Sequence, residues 1–574
     1  MDVECPSCHA LHWKGEKLTN SSACSPHFGM CCDSGQVHVP LLQDPPLFLC
    51  QLLESNDAQA IDFRTRIWQY NRTFAFTSLG VSEDHLINNG RGPPVFRVHG
   101  ELRHYSGSLL PTAEHHPRYA QLYIYDPCDS LQYRQHNNSD LRIDTLTSLQ
   151  NLILNNHQYA PLYKFVYCIL QDYSSDEEAS IRLRVAPGSN RRTHNLPVAD
   201  KVAVILPGDI SAAEHRDIVL HLRNGPLHRI SEDHPAYMPL QYPLLFPYGE
   251  NGWYSDLHLH QPDAQNPHRL TLTRYAAFRL HSCTNEYSTI LHAGRLAQRY
   301  HVDNWVAAEQ MRLSFLRSNQ SRLRASLYSG LEDTLWNDNE PTLNDIGQRI
   351  VLPSSFIGGP RHMYQQYQDS LTIARAFRKV DLFGTMTANP NWQEVLRELF
   401  PGQIPSDRPD LIARVFHLKK TAVVDEITKK GIFGHSVAHI FTIEFQKHGL
   451  PHMHILIFLA PEHKLQTPAD IDSTIRAYWP NPVTEPLLFE TVKRFMVHGP
   501  CGPANPHAPC MENGCCTKNF PRPFSSATRF DEHGYPQYYR PDDGVAYEVG
   551  GYLVDNRWIV PYNPYLTVRY VAPL

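Results

Sequence analysis

Phe441-Thr-Ile-Glu-Phe-Gln-Lys-His-Gly-Leu-Pro-His-Met-His-Ile-Leu-Ile-Phe-Leu459 sets two apolar runs on either side of a Lys-His-Gly-Leu-Pro breaker. In an extended chain alternate side chains share a face, so His452 and His454 point one way and Met453 the other. Two neutral imidazoles so placed can grip one divalent cation if a third ligand comes from elsewhere. The run Ala438 to Gln446 reads as the partner strand of a hairpin. It carries Glu444 and Gln446 on one face, and either is a candidate third ligand. His-x-His pairs are common; the carboxylate and amide on the preceding strand, with a Gly and a Pro in the turn, single this one out.

Glu444-Phe-Gln-Lys-His-Gly-Leu-Pro-His-Met-His454 resembles the His-hydrophobic-His (HUH) metal motif of rolling-circle replication endonucleases, in the form carried by Helitron transposases. Val380-Asp-Leu-Phe-Gly-Thr-Met-Thr-Ala-Asn-Pro-Asn-Trp392 resembles the first motif of the same endonucleases, the strand beside the histidine strand. The order strand 380–388, helices 391–430, strand 437–446, strand 452–459, helix 468–477 suits a central antiparallel sheet with helices on one face. The expected fold is therefore α+β. Its parts are an antiparallel-sheet HUH-type nuclease core (split βαβ), a helical scaffold, a mixed N-terminal domain and two Cys/His zinc-like modules.

The chain has 574 residues and a formal charge of −6, so any polyanion-binding surface is local. Between 411 and 530 thirteen basic residues face nine acidic ones, a mildly basic stretch in an acidic chain. No run of about 18 apolar residues and no signal peptide occurs, so no membrane partner is expected and an intracellular, nuclear location is. Four segments are expected: 1–45, Cys/His zinc-binding-like; 46–265, DNA-binding-like; 266–462, the Helitron helicase-like domain with the HUH motif; and 463–574, with a second Cys/His cluster.

Most of the 13 cysteines fall in two clusters, which fits metal sites in a reducing compartment better than disulfides. Cys5-x2-Cys8 followed by Cys24, His27, Cys31 and Cys32 has the spacing of a structural zinc site. Which later residues complete it stays open, with Cys31 and Cys32 the working pair. Trp13 and the Cys31 to Gly35 step are similar to the start of Helitron proteins. His498, Cys501, Cys510 and Cys516 supply four further zinc ligands, with Cys515 an extra sulfur either of which could ligate.

From 45 to 265 the chain reads as mixed strand and loop, with strands expected at Gln121–Tyr125 and Val202–Pro207. Arg182, Arg184, Arg191 and Arg192, with no acidic residue among them, are candidate phosphate contacts, a solvated loop being the plainer reading. Segments starting at Phe96, Gln121 and Tyr237 are similar to signatures of the N-terminal DNA-binding part of Helitron proteins. Leu270 to Glu332 has helical periodicity, with Tyr275, Phe278, Leu291, Leu296, Trp305, Leu313, Phe315 and Leu323 on one expected buried stripe. No Gly-x4-Gly-Lys-Ser/Thr loop occurs, so no P-loop nucleotide site is expected.

The resemblance implies the nuclease (Rep) part of a rolling-circle transposase. Such a protein acts on single-stranded DNA and transposon ends by metal-assisted tyrosine transesterification, with Mg2+ or Mn2+ at the HUH site and Zn2+ at the Cys/His clusters. Complete relatives carry a helicase on the same chain and two tyrosines four apart on a helix past a Tyr-Asn-Pro-Tyr-Leu segment. Here that segment is Tyr562 to Leu566, and the nucleophile is expected beyond Leu574, which would leave this form inactive. Tyr565 is the fallback, with Tyr562 and Tyr570 nearby; the intervening proline argues for a loop or edge strand. Two alternatives stand beside this reading: a non-enzymatic, zinc-containing DNA-binding remnant, and an unrelated metal-dependent hydrolase using His452 and His454.

Overall fold

The computed structural model describes residues 1–22, 26–84, 96–111, 115–171, 179–183, 204–207, 218–221, 227–261, 264–320, 352–446, 449–532 and 534–572. It is α+β, with helices and several small antiparallel sheets. The chain divides into two compact units, Met1–Ser326 with Glu398–Pro409, and Leu327–Arg397 with Asp410–Leu574. No helix among the described residues is long and apolar enough to cross a membrane.

In the first unit one apolar core runs from Cys5 and Phe28 through Leu49, Tyr70 and Leu149 to Cys283 and Tyr300. The 24-residue helix Arg295–Ser318 buries Leu296, Ala297, Tyr300, Asp303, Asn304, Ala307 and Ala308, one stripe at helical spacing. Asp303 is bonded inside it through Oδ2, which accepts from His104 Nε2 at 2.6 Å and from the Tyr242 hydroxyl at 2.8 Å, while Oδ1 has no partner among the described residues. Trp305 and Phe315 lie off the stripe and are exposed, contrary to the expected pattern. The expected helical run is also interrupted: helices span Leu272–Arg279, Thr289–His292 and Arg295–Ser318, and 321–332, with Leu323, lies outside the described residues.

Gln121–Tyr125 is not a strand. A 3-10 turn spans Tyr119–Tyr123, burying Ala120, Leu122 and Tyr123, because Tyr123 stacks on Phe76 at 4.0 Å and its hydroxyl reaches Phe74 O. Five residues of alternation cannot by themselves separate a strand from a buried turn. Val204–Pro207 is a strand, and positions 202 and 203 lie outside the described residues.

Among the described residues the elements of the second unit run from helix α1 (Pro360–Phe377) to strand β1 (Leu382–Thr387), α2 (Gln393–Leu396), α3 (Pro409–Thr428), β2 (Ser436–Phe445) and β3 (Pro451–Leu459). The order in the sheet is β1-β3-β2, all antiparallel, with the histidine strand in the centre. Gly449 at φ 77 closes the β2–β3 hairpin, its N–H donating to Gln446 O at 2.8 Å, a conformation that suits glycine. Met453, wholly buried, lies between Met386 and Ile443 on one face. On that face Lys420 of α3 sits 5.0 Å from the Phe441 ring. Phe377 of α1 meets Phe458 with ring centroids 5.8 Å apart, at the far end of the histidine face. Helices thus touch both faces rather than one, because the run Ile455 to Leu459 is apolar on both sides.

Helices α4 (Pro468–Thr474) and α5 (Pro486–Phe495), strands β4 (Met511–Glu512) and β5 (Cys515–Cys516), and helix α6 (Pro564–Tyr570) follow. A second small core joins Trp479, Phe489, Val492, Ile559 and Tyr562. Arg540, largely buried, ties this region together by donating to the carbonyls of Ala477, Asn556 and Ile559.

Candidate metal centres

Strand register decides what surrounds the two histidines. Thr387 and Glu444 lie directly across from His452, and Thr385 and Thr442 from His454, so the four partners share the histidine face. Glu444, His452 and His454 each offer a ligand atom within 4.8 Å of the others. Glu444 Oε1 is 3.1 Å from His454 Nε2, and the two imidazoles meet edge to face at 4.5 Å. Gln446 is beside them, its side-chain amide 3.5 Å from His452 Nδ1.

His452 Nδ1 is 2.8 Å from the Thr387 hydroxyl, a partner that leaves Nε2 available. Burial, and then the neighbouring His454, lower the His452 pKa, which favours the neutral imidazole a metal needs. His454 Nδ1 is buried without a hydrogen-bond partner among the described residues, and Phe383 stacks on the ring at 5.7 Å. A carboxylate, two imidazoles and a partly open face form a donor set suited to a divalent cation.

Two further groups have the same compactness. Cys5, Cys8, Cys31 and Cys32 place their sulfurs within 4.8 Å of one another, with Cys5 to Cys32 at 3.7 Å. Cys24 lies outside the described residues. The strands Val3–Glu4 and Leu11–His12 form a knuckle around the first pair, and Gly35 donates its N–H to Cys32 Sγ at 3.2 Å. In the second unit His498, Cys501, Cys510 and Cys516 are likewise within 4.8 Å, with His498 Nε2 3.3 Å from Cys516 Sγ. Pairing of β4 with β5 turns the chain between Cys510 and Cys516, and Cys515 points to solvent. Burial would raise the Cys516 thiol, but hydrogen bonds from the Phe520 and Lys518 amides outweigh it and hold the pKa below the usual range. Burial pushes Cys501 up to about 12.

Residues 275–457, which contain β1, β2 and the histidines, match the family described as the Helitron helicase-like domain at N-terminus. The chain carries a Helitron helicase-like domain. No curated protein matches the chain. The matched segment of the Helitron helicase-like domain ends within β3, just after the His452–His454 pair.

Of the three candidate tyrosines beyond that domain two are engaged, and the Tyr570 hydroxyl is buried without a hydrogen-bond partner among the described residues. Tyr562 is buried and donates its hydroxyl to Tyr478 O at 3.1 Å. Tyr565 donates to Glu426 Oε2 at 3.2 Å. Tyr565 and Tyr570 belong to α6, with Pro564 at its first position and Asn563 as its cap, so the expected loop or edge strand is a helix from Pro564 onward. Proline tolerates the first helical position because its missing N–H has no partner there. Of the candidate DNA contacts, Arg182 lies on the strand Ala179–Leu183, and Arg184, Arg191 and Arg192 lie outside the described residues. Thr387 was not among the sequence candidates; its position directly across from His452 is the signal, and it needs the register to be read.

Proposed function

We propose that this chain is the nuclease part of a Helitron-type transposase, acting on single-stranded DNA and transposon ends at a divalent cation held by Glu444, His452 and His454. The gathering of these three ligand atoms within 4.8 Å, inside the segment matched to the Helitron helicase-like domain, carries the reading. Mg2+ or Mn2+, when bound, would polarise a phosphate oxygen and stabilise the charge that builds on it. Thr387 accepts the Nδ1 proton of His452 and so presents Nε2; Glu444 supplies the anionic ligand; Gln446 flanks His452. Zn2+ at Cys5, Cys8, Cys31 and Cys32, and at His498, Cys501, Cys510 and Cys516, closes the two loop-rich segments.

The reaction is a transesterification. A tyrosine phenolate attacks phosphorus, the bond from phosphorus to the 3′ oxygen breaks, the released 3′ alkoxide takes up a proton to become the 3′ hydroxyl, and a 5′-phosphotyrosine diester forms. Tyr562 and Tyr565 hold their hydroxyls in other bonds, which argues against their serving as the nucleophile. The same observation favours the second reading, a zinc-containing DNA-binding protein without nuclease chemistry.

The two readings separate on labelled single-stranded oligonucleotide incubated with Mn2+. The chain alone should give no denaturation-resistant band at Tyr562, Tyr565 or Tyr570, and a band mapped to any of them would place the nucleophile there. Fusion of a relative's tyrosine helix should give cleavage lost in His452→Ala/His454→Ala. Cleavage indifferent to that double substitution, or no cleavage by the fusion, would remove the nuclease reading.

A further inference from the structure

A second chemistry-bearing feature lies in the first unit and shares no residue with the metal-ligand groups. It is a cavity of about 200 Å3 whose lining includes Trp68, Arg72, Tyr119, Gln241 and the Glu83–Arg299 pair. Engineered cavities of about 150 Å3 admit one benzene, so this one has room for a single planar ring system and not for a stacked pair. Trp68 and Tyr119 give it aromatic walls. The Arg299 guanidinium sits 4.3 Å from the Trp68 ring and is held to Glu83 by two bonds of 2.8 and 2.9 Å, which neutralises its charge.

At the floor is a polar group with one end unused. Gln241 is 5% exposed, and its Oε1 accepts from the Thr77 hydroxyl at 2.6 Å. Its amide nitrogen meets no acceptor among the described residues and is left open to the cavity. Its own backbone carbonyl is already taken by Asn71 Nδ2 at 2.8 Å. Arg72, on the exposed side of the same lining, makes no ion pair among the described residues. Tyr119 sits at φ 53, a left-handed conformation that costs a non-glycine residue about 1–2 kcal/mol. Its amide-bonded neighbours hold it there: Arg118 N donates to Gln121 Oε1 at 2.9 Å and Ala120 N to Phe76 O at 3.2 Å.

We infer that this cavity is a nucleotide site, with one base between its aromatic walls, an acceptor of that base on the Gln241 amide, and the attached phosphate on Arg72. The chemistry asks for a flat ring, a ring-edge acceptor and an anion just outside, and a nucleotide joins all three. Every base offers an acceptor on its edge, so the amide holds a base without selecting one. The phosphate supplies the charge for an uncompensated guanidinium. The assignment rests on the reading of the chain as a protein of single-stranded DNA, but not on the metal.

The test uses the full chain in buffer without divalent cations and a short single strand carrying one 2-aminopurine. Stacking of the bound base on the aromatic walls should quench the 2-aminopurine below its level in the free strand. Arg72→Glu, at the solvent side, and the volume-conserving Gln241→Met should each weaken binding by about tenfold or more, the scale of one base contact. Competition by free dAMP would assign the cavity to a nucleotide on its own, and lack of competition to a nucleotide within a strand. Folded variants that bind and quench like the parent chain would overturn the site. Should Gln241→Met fail to fold, Arg72→Glu decides alone. The assay contains no cation for the histidines, so its failure leaves the metal reading standing, and loss of Mn2+ binding elsewhere leaves this one.

Discussion

Thr387→Val changes one hydroxyl into a methyl of nearly the same shape, and the structure says where the cost falls. The hydroxyl is 2.8 Å from His452 Nδ1. With Nε2 given to a cation, Nδ1 must carry the proton, and Thr387 is its acceptor. Without it the Nδ1–H of a largely buried imidazole faces a methyl group, and an unpaired buried donor costs about 1–3 kcal/mol. That range corresponds to roughly 5–150-fold in affinity, which brackets the roughly 10–100-fold usual for losing a partner of a metal-bound histidine. Titration calorimetry with Mn2+ should show this weakening for Thr387→Val, and near-parent affinity for Thr387→Ser, which keeps the oxygen. The fold should be unaffected, since the β-branched shape that suits a strand is kept. Parent-like affinity in Thr387→Val would refute the assigned geometry: either Nδ1 is the ligand atom or no ion binds there.

Other consequences are measurable separately. Elemental analysis of protein purified without added metal should find two zinc ions per chain, one lost in Cys31→Ser and the other in Cys501→Ser; absence of zinc would remove both structural sites. Burial lowers the His157 pKa from 6.5 to about 3. The folded imidazole therefore stays neutral while the unfolded chain protonates, so the stability it contributes is complete above pH 6.5 and drains away as pH falls toward 3. The loss runs at about 1.4 kcal/mol per pH unit, or roughly 2 kcal/mol between pH 6.5 and 5. His157→Phe, which can keep the stack on Phe76, should lack that part of the acid sensitivity in urea melts, and equal slopes in the two proteins would contradict it.

What the sequence made legible was local. Alternation and the Gly-Pro turn placed β2 and β3, and a two-residue period put His452 and His454 on one face, because register on a half-buried sheet is tied to that period. The Cys-x2-Cys spacing carried its own geometry. Other features depended on contacts far apart in the chain. Thr387 meets His452 only once β1 pairs with β3, and Gln241 joins Trp68 and Arg72 only through the packed core. Asp303 and Asn304 hold core positions that hydropathy gives to apolar side chains, so the stripe was misplaced onto Trp305 and Phe315. Pro564 looked like a breaker because its role at a helix start shows only with the cap at Asn563. Gln121–Tyr125 was too short for its alternation to mean a strand.

The central claim is that Glu444, His452 and His454 hold one divalent cation, and Mn2+ calorimetry on the intact chain with its zinc in place tests it most directly. One Mn2+ should bind per chain, and His452→Ala/His454→Ala should abolish that event while circular dichroism stays unchanged, since the ligands gather at one end of β3. Unchanged Mn2+ affinity in the folded double variant would contradict the account.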